Sequence, residues 1–291
     1  MGKIPKQELD EKMKIIHVPE IFQPRERYKY PDGNDMTMEE YFYDHVYRDT
    51  RTERSYLPIF WTTYHSRNNF GHDEKALRRV ENFCKSIREP CFTVSQYDDG
   101  VVVDLPKNIL SMSAGGQGDI ALPLTRYAWN NIERGENKYL ASFVGNLKTC
   151  AAMSDIRKRM IEELSGKEGF YFYDTSKSFG PFKEIMLQSK FAICPRGYGR
   201  TSFRMYEALQ MGTVPVYISD YHWLPFEKYV DWNRLAICIT PDKMCSLPER
   251  LRSYSDDQIN EMAKYGKEVW NRYFSYQGFT ETIECMLKEG L

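Results

Sequence analysis

Residues 190–218 read KFAICPRGYGRTSFRMYEALQMGTVPVYI. KFAIC is a short apolar run that predicts a buried strand ending near Pro195. RGYGRT is the loop that follows, a helix runs over 202–211, Gly212 stops it, and TVPVYI returns as a second strand. Strands that alternate with helices in this way predict a parallel sheet covered on both faces.

The alternation extends outward on both sides. KYLASFVGN (138–146), GFYFYD (169–174) and LAICI (235–239) read as strands. MSDIRKRMIEELSG (153–166) reads as a helix with Ser154 as N-cap and Gly166 as its stop. PFKEIMLQ (181–188) is a further helix, and residues 248–274 give two more. Upstream the pattern is looser. YLPIFWTTY (56–64) predicts a strand running into the polar loop HSRNNFGHD. EKALRRVENFCKSI (74–87) is an amphipathic helix, CFTVSQ (91–96) a strand ending in YDDG, and GGQGDIALPL (115–124) a glycine-rich turn into a short strand. Residues 1–55 are polar and irregular and find no place in the pattern. The expected fold class is therefore α/β: two Rossmann-like units, 1–138 and 139–265, whose parallel sheets face a central cleft. Ligands of open α/β sheets bind at such strand ends.

Composition narrows the function. The 291-residue chain has a net charge of −1 and a pI of about 6.6, which argues against a general nucleic-acid binder. The seven cysteines form no CxxC pair, so reduced thiols are expected rather than a disulfide framework or a zinc ribbon. No apolar leader, no membrane-length apolar span and no N-x-S/T sequon occurs, and these point to a cytoplasmic chain. Nothing in the sequence speaks to oligomeric state.

Against that neutral background, Arg196, Arg200 and Arg204 cluster at one turn. Gly197 and Gly199 let the backbone approach a ligand closely, with Tyr198 between them. Thr201 or Ser202 can cap the following helix, whose positive end would face the loop. Backbone N–H groups, a helix N-terminus and guanidinium forks together make a phosphate site. Glu207, one turn below Arg204, is placed to accept hydrogen bonds from ribose hydroxyls. These features describe a nucleoside-diphosphate site. The residues alone leave open a surface turn with solvated arginines and an ordinary Arg204–Glu207 ion pair. The string is neither GxGxxG nor a Walker loop, so dehydrogenase and P-loop NTPase readings lack support.

The segment Cys194–Trp232 resembles the signature of the exostosin-like (GT47) glycosyltransferases. Its C-P-R-G is Cys194–Gly197, its S-x-R-x-x-E-A-L is Ser202–Leu209, its G-x-x-P-V is Gly212–Val216, and its S-D…L-P-F…W is Ser219, Asp220, Leu224–Phe226 and Trp232. GDIALPL, SFVGN with the Arg157 helix, and FTVSQYDDG resemble weaker family motifs, with Asp99 standing where Trp is usual. The resemblance implies a GT-B architecture, with the donor held by 139–265 and the acceptor by 1–138. It also implies a closing helix (266–291) that crosses back onto the first unit. It implies a UDP-sugar donor, a glycan acceptor and inverting transfer. Gly145, Arg157 and Asp220 join the loop residues on the donor side. The short chain is similar to soluble microbial or viral members. A likeness to the exostosin-like xylosyltransferases of chlorella viruses puts xylose first, although nothing in the motif selects it.

Inverting transfer needs a base, a neutralised leaving group and a dry cleft. No DxD metal clamp is present, so the arginines are expected to replace a divalent cation, with Mn²⁺ or Mg²⁺ stimulation left open by Asp98, Asp99 and Asp220. The base should come from the first unit. Asp98, at a strand end before Gly100, is the first candidate, and Asp73, His72 and His65 are alternatives. Each of these residue types is also a common capping or surface residue. Trp61 and Tyr64 are candidates to stack on an acceptor sugar, with core packing as the other reading of Trp61. The competing functions are a non-catalytic nucleotide-sugar or glycan-binding subunit, and a phosphate-binding protein of another class.

Overall fold

The computed structural model describes residues 13–25, 36–46, 52–129, 131–147, 155–175 and 180–291. Two wholly parallel sheets form its frame. The first contains β1 (Ser55–Tyr56), β2 (Cys91–Ser95), β3 (Ile109–Ser113) and β4 (Ile120–Ala121), in that order. The second contains β5 (Tyr139–Gly145), β6 (Phe170–Asp174), β7 (Ser189–Pro195), β8 (Val214–Ile218) and β9 (Ile237–Ile239), ordered β6-β5-β7-β8-β9. Helices α1 (Met38–His45), α2 (Trp61–Arg67) and α3 (Glu74–Ser86) accompany the first sheet. With the second come α4 (Ile156–Leu164), α5 (Phe182–Leu187), α6 (Phe203–Met211), α7 (Leu247–Arg252) and α8 (Asp256–Val269). A last helix, α9 (Tyr276–Lys288), follows. The architecture is α/β, two parallel sheets each accompanied by helices.

Strand β7 shows why its sequence is an unbroken apolar run. Phe191 and Ile193 point into one core layer while Ala192 and Cys194 point into the other. A parallel strand covered on both faces has no polar side to alternate with. Gly212 ends α6 at φ +66°, the left-handed conformation a helix stop needs. Asp155 takes the N-cap position of α4 without a side-chain bond, and the expected cap Ser154 lies outside the described residues.

The first sheet departs from the strand expected at 56–64. Only Ser55–Tyr56 is strand; Leu57 still donates its N–H to Phe92, but Pro58 has no N–H with which to continue. The chain then turns into α2, which buries Trp61 and Tyr64. The segment 36–46, unplaced by the sequence, holds α1, opened by a capping box between Thr37 and Glu40. Helix α9 lies on α1: Phe279 stacks on Phe42 at 6.2 Å, and the Tyr276 hydroxyl donates to the Met36 carbonyl at 2.9 Å. The described cysteines are all free, and no described helix is long and apolar enough to cross a membrane.

The two sheets meet loop to loop. The Arg200 N–H, in the loop after β7, donates to the Gly115 carbonyl, in the loop after β3, at 2.9 Å. Glycines make this approach possible. A methyl group on Gly115 would overlap the Tyr97 carbonyl and lie 2.6 Å from Asp98 Cα. One on Gly199 would overlap the Gly115 carbonyl and lie 3.0 Å from Asp98 Oδ1. Gly116 adopts φ +114°, a conformation side chains disfavour, and lies against Arg200. Gly199→Ala should therefore force the arginine loop away from Gly115 and the Asp98 turn. The expected cost is about 1–3 kcal/mol, read as a lower urea midpoint at unchanged slope; an unchanged midpoint would show that the seam is not tight.

Candidate functional site

The turn after β2 carries the first functional group. Its Gly100 N–H donates to the Tyr97 carbonyl at 2.9 Å, and Gly100 sits at φ +69°. This closes Tyr97–Gly100 into a tight corner that pushes Asp98 and Asp99 toward the second sheet. Burial, aided by the Asp99 charge, raises the Asp98 carboxyl from the ordinary carboxylate range to about 6. Asp98 faces a cleft of about 490 Å³ lined from the first sheet by Thr62, Ser66, Phe70, His72 and Gln96, and from the second by Tyr198 and Phe203. Phe70 and Tyr198 are the exposed rings of this cleft, 66% and 40% accessible.

The other base candidates separate here. His72 is exposed and lines the same cleft. Asp73 is the N-cap of α3, and its Oδ1 accepts from the Lys75 and Ala76 N–H groups at 2.9 and 3.2 Å. His65 is fully buried beside Trp61 and bonds through Nε2 to the Val101 carbonyl at 3.0 Å. Burial lowers its pKa to about 4, so it is a neutral core imidazole. Trp61 and Tyr64 are also core: their polar ends donate to Thr93 Oγ1 and the Ala76 carbonyl, each at 2.8 Å. No stacking face remains, because both rings are buried on α2 rather than presented by a strand end. The aromatic rings that do line the cleft are Phe70, Tyr97, Tyr198 and Phe203, of which Phe70 and Tyr198 are exposed.

On the second sheet, Arg196, Gly197, Tyr198, Gly199, Arg200 and Thr201 form the β7–α6 loop, with Ser202 at the helix N-cap position. The Ser202 side chain makes no capping bond. Arg196 is 6% exposed and pairs through Nε and Nη2 with the half-exposed Asp220, which in turn lowers the Asp220 pKa. Arg196 and Arg200 both lie over the Tyr221 ring, at 5.1 and 4.5 Å. Arg157 reaches the same loop from α4. It donates to the Asn146 carbonyl at 2.6 Å, lies over Phe143, and brings Nη2 within 3.7 Å of the space beside Gly197. Gly145 is the end of β5, where a methyl group would press on that Phe143 ring at 2.8 Å.

Arg204 and Glu207 do not join this group. Both turn inward: Arg204 lies 4.0 Å over the Phe182 ring, and Glu207 is 5% exposed. One Glu207 oxygen binds Arg204 and the other binds Arg126 at 3.0 Å. The ribose role expected of Glu207 thus meets a carboxylate whose oxygens are already held. The same-face spacing i, i+3 is as the sequence suggests, but that face is covered by the segment after β4. Its Arg126 was not singled out by sequence, and no local signal marks it. The loop is left with Arg157, Arg196 and Arg200 as its cations. Among the described residues no cluster of three or more His, Cys, Asp or Glu side chains is placed to hold a metal ion.

The comparisons with known proteins bear on this arrangement. An exostosin-1 homologue of Caenorhabditis elegans is 38% identical over 92 residues, 32% of this chain and 24% of that one. Bovine exostosin-1 is 30% identical over 152 residues, 52% of this chain and 19% of that one. The chain thus aligns with about a quarter or less of the length of these relatives. Among solved structures, TarM of S. aureus aligns at a TM-score of 0.44 with 10% identity, covering 80% of this chain and 50% of that one. MurG of Acinetobacter baumannii aligns at 0.36 with 11% identity, covering 81% and 73%. The family model of the exostosin GT47 domain matches residues 56–254, both sheets and the cleft between them, and the chain belongs to that family.

Proposed function

We propose that this chain is a glycosyltransferase that moves a sugar from a UDP-sugar to a hydroxyl of a glycan acceptor, with inversion at the anomeric carbon. One observation carries the reading: the raised Asp98 carboxyl meets Gly199 of the arginine-bearing loop at the seam between the sheets. A proton acceptor and an anion site are adjacent, and they come from opposite sides of one cleft. Residues 1–138 supply the acceptor side and 139–265 the donor side.

In this mechanism Asp98 takes the proton of the acceptor hydroxyl as it attacks the anomeric carbon. The departing diphosphate rests on the loop amides, Arg157, Arg196 and Arg200. Asp220 holds Arg196 in orientation until the phosphate arrives. Phe70 and Tyr198 offer ring faces to acceptor sugars. A contact between Glu207 and ribose requires Arg126 to move aside. The guanidinium groups do the work of a divalent cation, so transfer should persist in EDTA, with any Mn²⁺ effect a stimulation. Full loss in EDTA restored by Mn²⁺ would reverse that assignment.

The direct test is a panel of UDP-sugars, with UDP-xylose first, assayed for donor hydrolysis and transfer. Turnover of one donor that disappears in Asp98→Asn, with UDP binding kept, is expected. UDP binding without turnover of any donor would favour the non-catalytic subunit. The pH dependence follows from the Asp98 shift. kcat/KM should rise with pH through about 6 and then level off. Asp99→Asn removes the like charge and should move that rising limb to lower pH. Burial disfavours the ionised Asp98, so the folded state carries a penalty above its raised pKa that vanishes below the unfolded value. Asp98→Asn should accordingly raise Tm at a pH of about 8 and leave it nearly unchanged at about 3.

A further inference from the structure

Glu39 lies on α1 and is fully buried. Its Oε1 accepts three hydrogen bonds, from the Thr62 N–H at 3.0 Å, the Thr62 hydroxyl at 2.7 Å and the Gln96 N–H at 3.0 Å. The neighbouring Met38 N–H donates to Gln96 Oε1 at 2.8 Å, so α1 grips Gln96 twice. Glu39 Oε2 is buried and has no hydrogen-bond partner. Thr62 lies in the first turn of α2, where backbone N–H groups have no partner within the helix. Gln96 ends the β2 segment, two residues before Asp98. Both line the cleft. One carboxyl oxygen therefore ties together the two pieces of chain that form the first sheet's wall of the site.

The bare Oε2 says which form of the carboxyl does this. An anion with one oxygen stripped of all donors is costly in a buried site. A carboxylic acid carrying its proton on Oε2 can accept the same three bonds on Oε1 without a net charge. Burial also pushes the Glu39 carboxyl up, against the hydrogen bonds from Gln96 and Thr62.

We propose that Glu39 is a positioning residue for sugar transfer, a neutral carboxyl that locks the start of α2 to the end of β2 and so aims Asp98 at the acceptor. The inference rests on Asp98 as the base. It is tested by measuring transfer kinetics, UDP affinity and amide hydrogen exchange in Glu39→Ala and Glu39→Gln. Glu39→Ala should lower kcat roughly 10–100-fold and raise the acceptor KM, with the UDP Kd unchanged and faster exchange at Thr62 and Gln96. Glu39→Gln keeps Oε1 and is uncharged, so it should restore transfer to within about threefold of wild type with the same pH limb. Wild-type transfer by folded Glu39→Ala overturns the inference alone, as does a folded Glu39→Gln as slow as Glu39→Ala. Should Glu39→Ala not fold, Glu39→Gln decides by itself in the same way. A wild-type chain that binds UDP but transfers nothing overturns the Asp98 reading and this inference together.

Discussion

The hydrogen bond from the Arg200 N–H to the Gly115 carbonyl sets the distance between the two sheets, and the site exists because that distance is short. The bond can form only because the backbones touch, and they touch because Gly116 and Gly199 lack side chains, while Gly115 lets its loop sit against the Asp98 turn. With the loops this close, Asp98 is pressed against the Gly199 backbone and loses water. Its raised pKa is a consequence of the seam rather than of any special partner, since burial is the larger cause and Asp99 the smaller. Opening the seam by a few ångströms would rehydrate the carboxyl and return it to an ordinary, weakly basic aspartate. Geometry and basicity are therefore set by one contact.

That contact explains why the two halves of the chain were unequally legible. The second sheet is written locally. Each strand is an apolar run, α4 and α6 are followed by the left-handed glycines Gly166 and Gly212, and the arginine loop is contiguous in sequence. The seam is not local, because Gly115 and Gly199 lie far apart along the chain and neither is unusual in its own neighbourhood. Sequence reading located GGQG as a turn but had no means of pairing it with the loop at 197–200. Around residues 56–64 an apolar run looked like one strand, and the fault lay in reading past Pro58. The capping box Thr37-x-x-Glu40 was visible as a pattern, yet it was hidden in a segment whose overall polarity suggested no structure. The stacking reading fails for a related reason, while the core reading of Trp61 holds. Trp61 and Tyr64 looked available when placed on a strand end, and became core once that segment is helix.

Arg204 and Glu207 show a different limit. Spacing fixes that they share a helix face, but not what covers the face. Here it is covered by the chain after β4, where Arg126 completes a buried triad with Glu207 between two guanidinium groups. The same segment is fastened further along: Arg134 donates to the Gly212 and Ser189 carbonyls and to Thr213 Oγ1. The connection between the sheets is thus anchored on the second one. A buried ion pair of this kind contributes little net stability compared with an apolar substitute, but losing one partner is costly. Its effect is to hold α6, and with it the arginine loop, in a fixed relation to the connecting chain.

Glu207, Glu39 and Asp98, three of the buried or partly buried carboxyls of this fold, have three different environments, and the environments sort their roles. Glu207 is neutralised by two arginines and is bound to structure. Glu39 accepts three hydrogen bonds on one oxygen and is likewise committed. Asp98 receives no hydrogen bond among the described residues, faces the cleft, and is raised by burial. Glu207 has both oxygens held by arginines and Glu39 is closed off by burial, so neither is free to take a proton from a substrate hydroxyl. A carboxyl that is desolvated, unengaged and open on one side has neither handicap. This is the pattern by which differing surroundings divide acid and base roles among chemically similar groups. It selects Asp98 over Glu39 and Glu207 without reference to any motif. It also accounts for the instability such a group brings: the missing donors that would stabilise Asp98 are the ones that would remove it from the reaction.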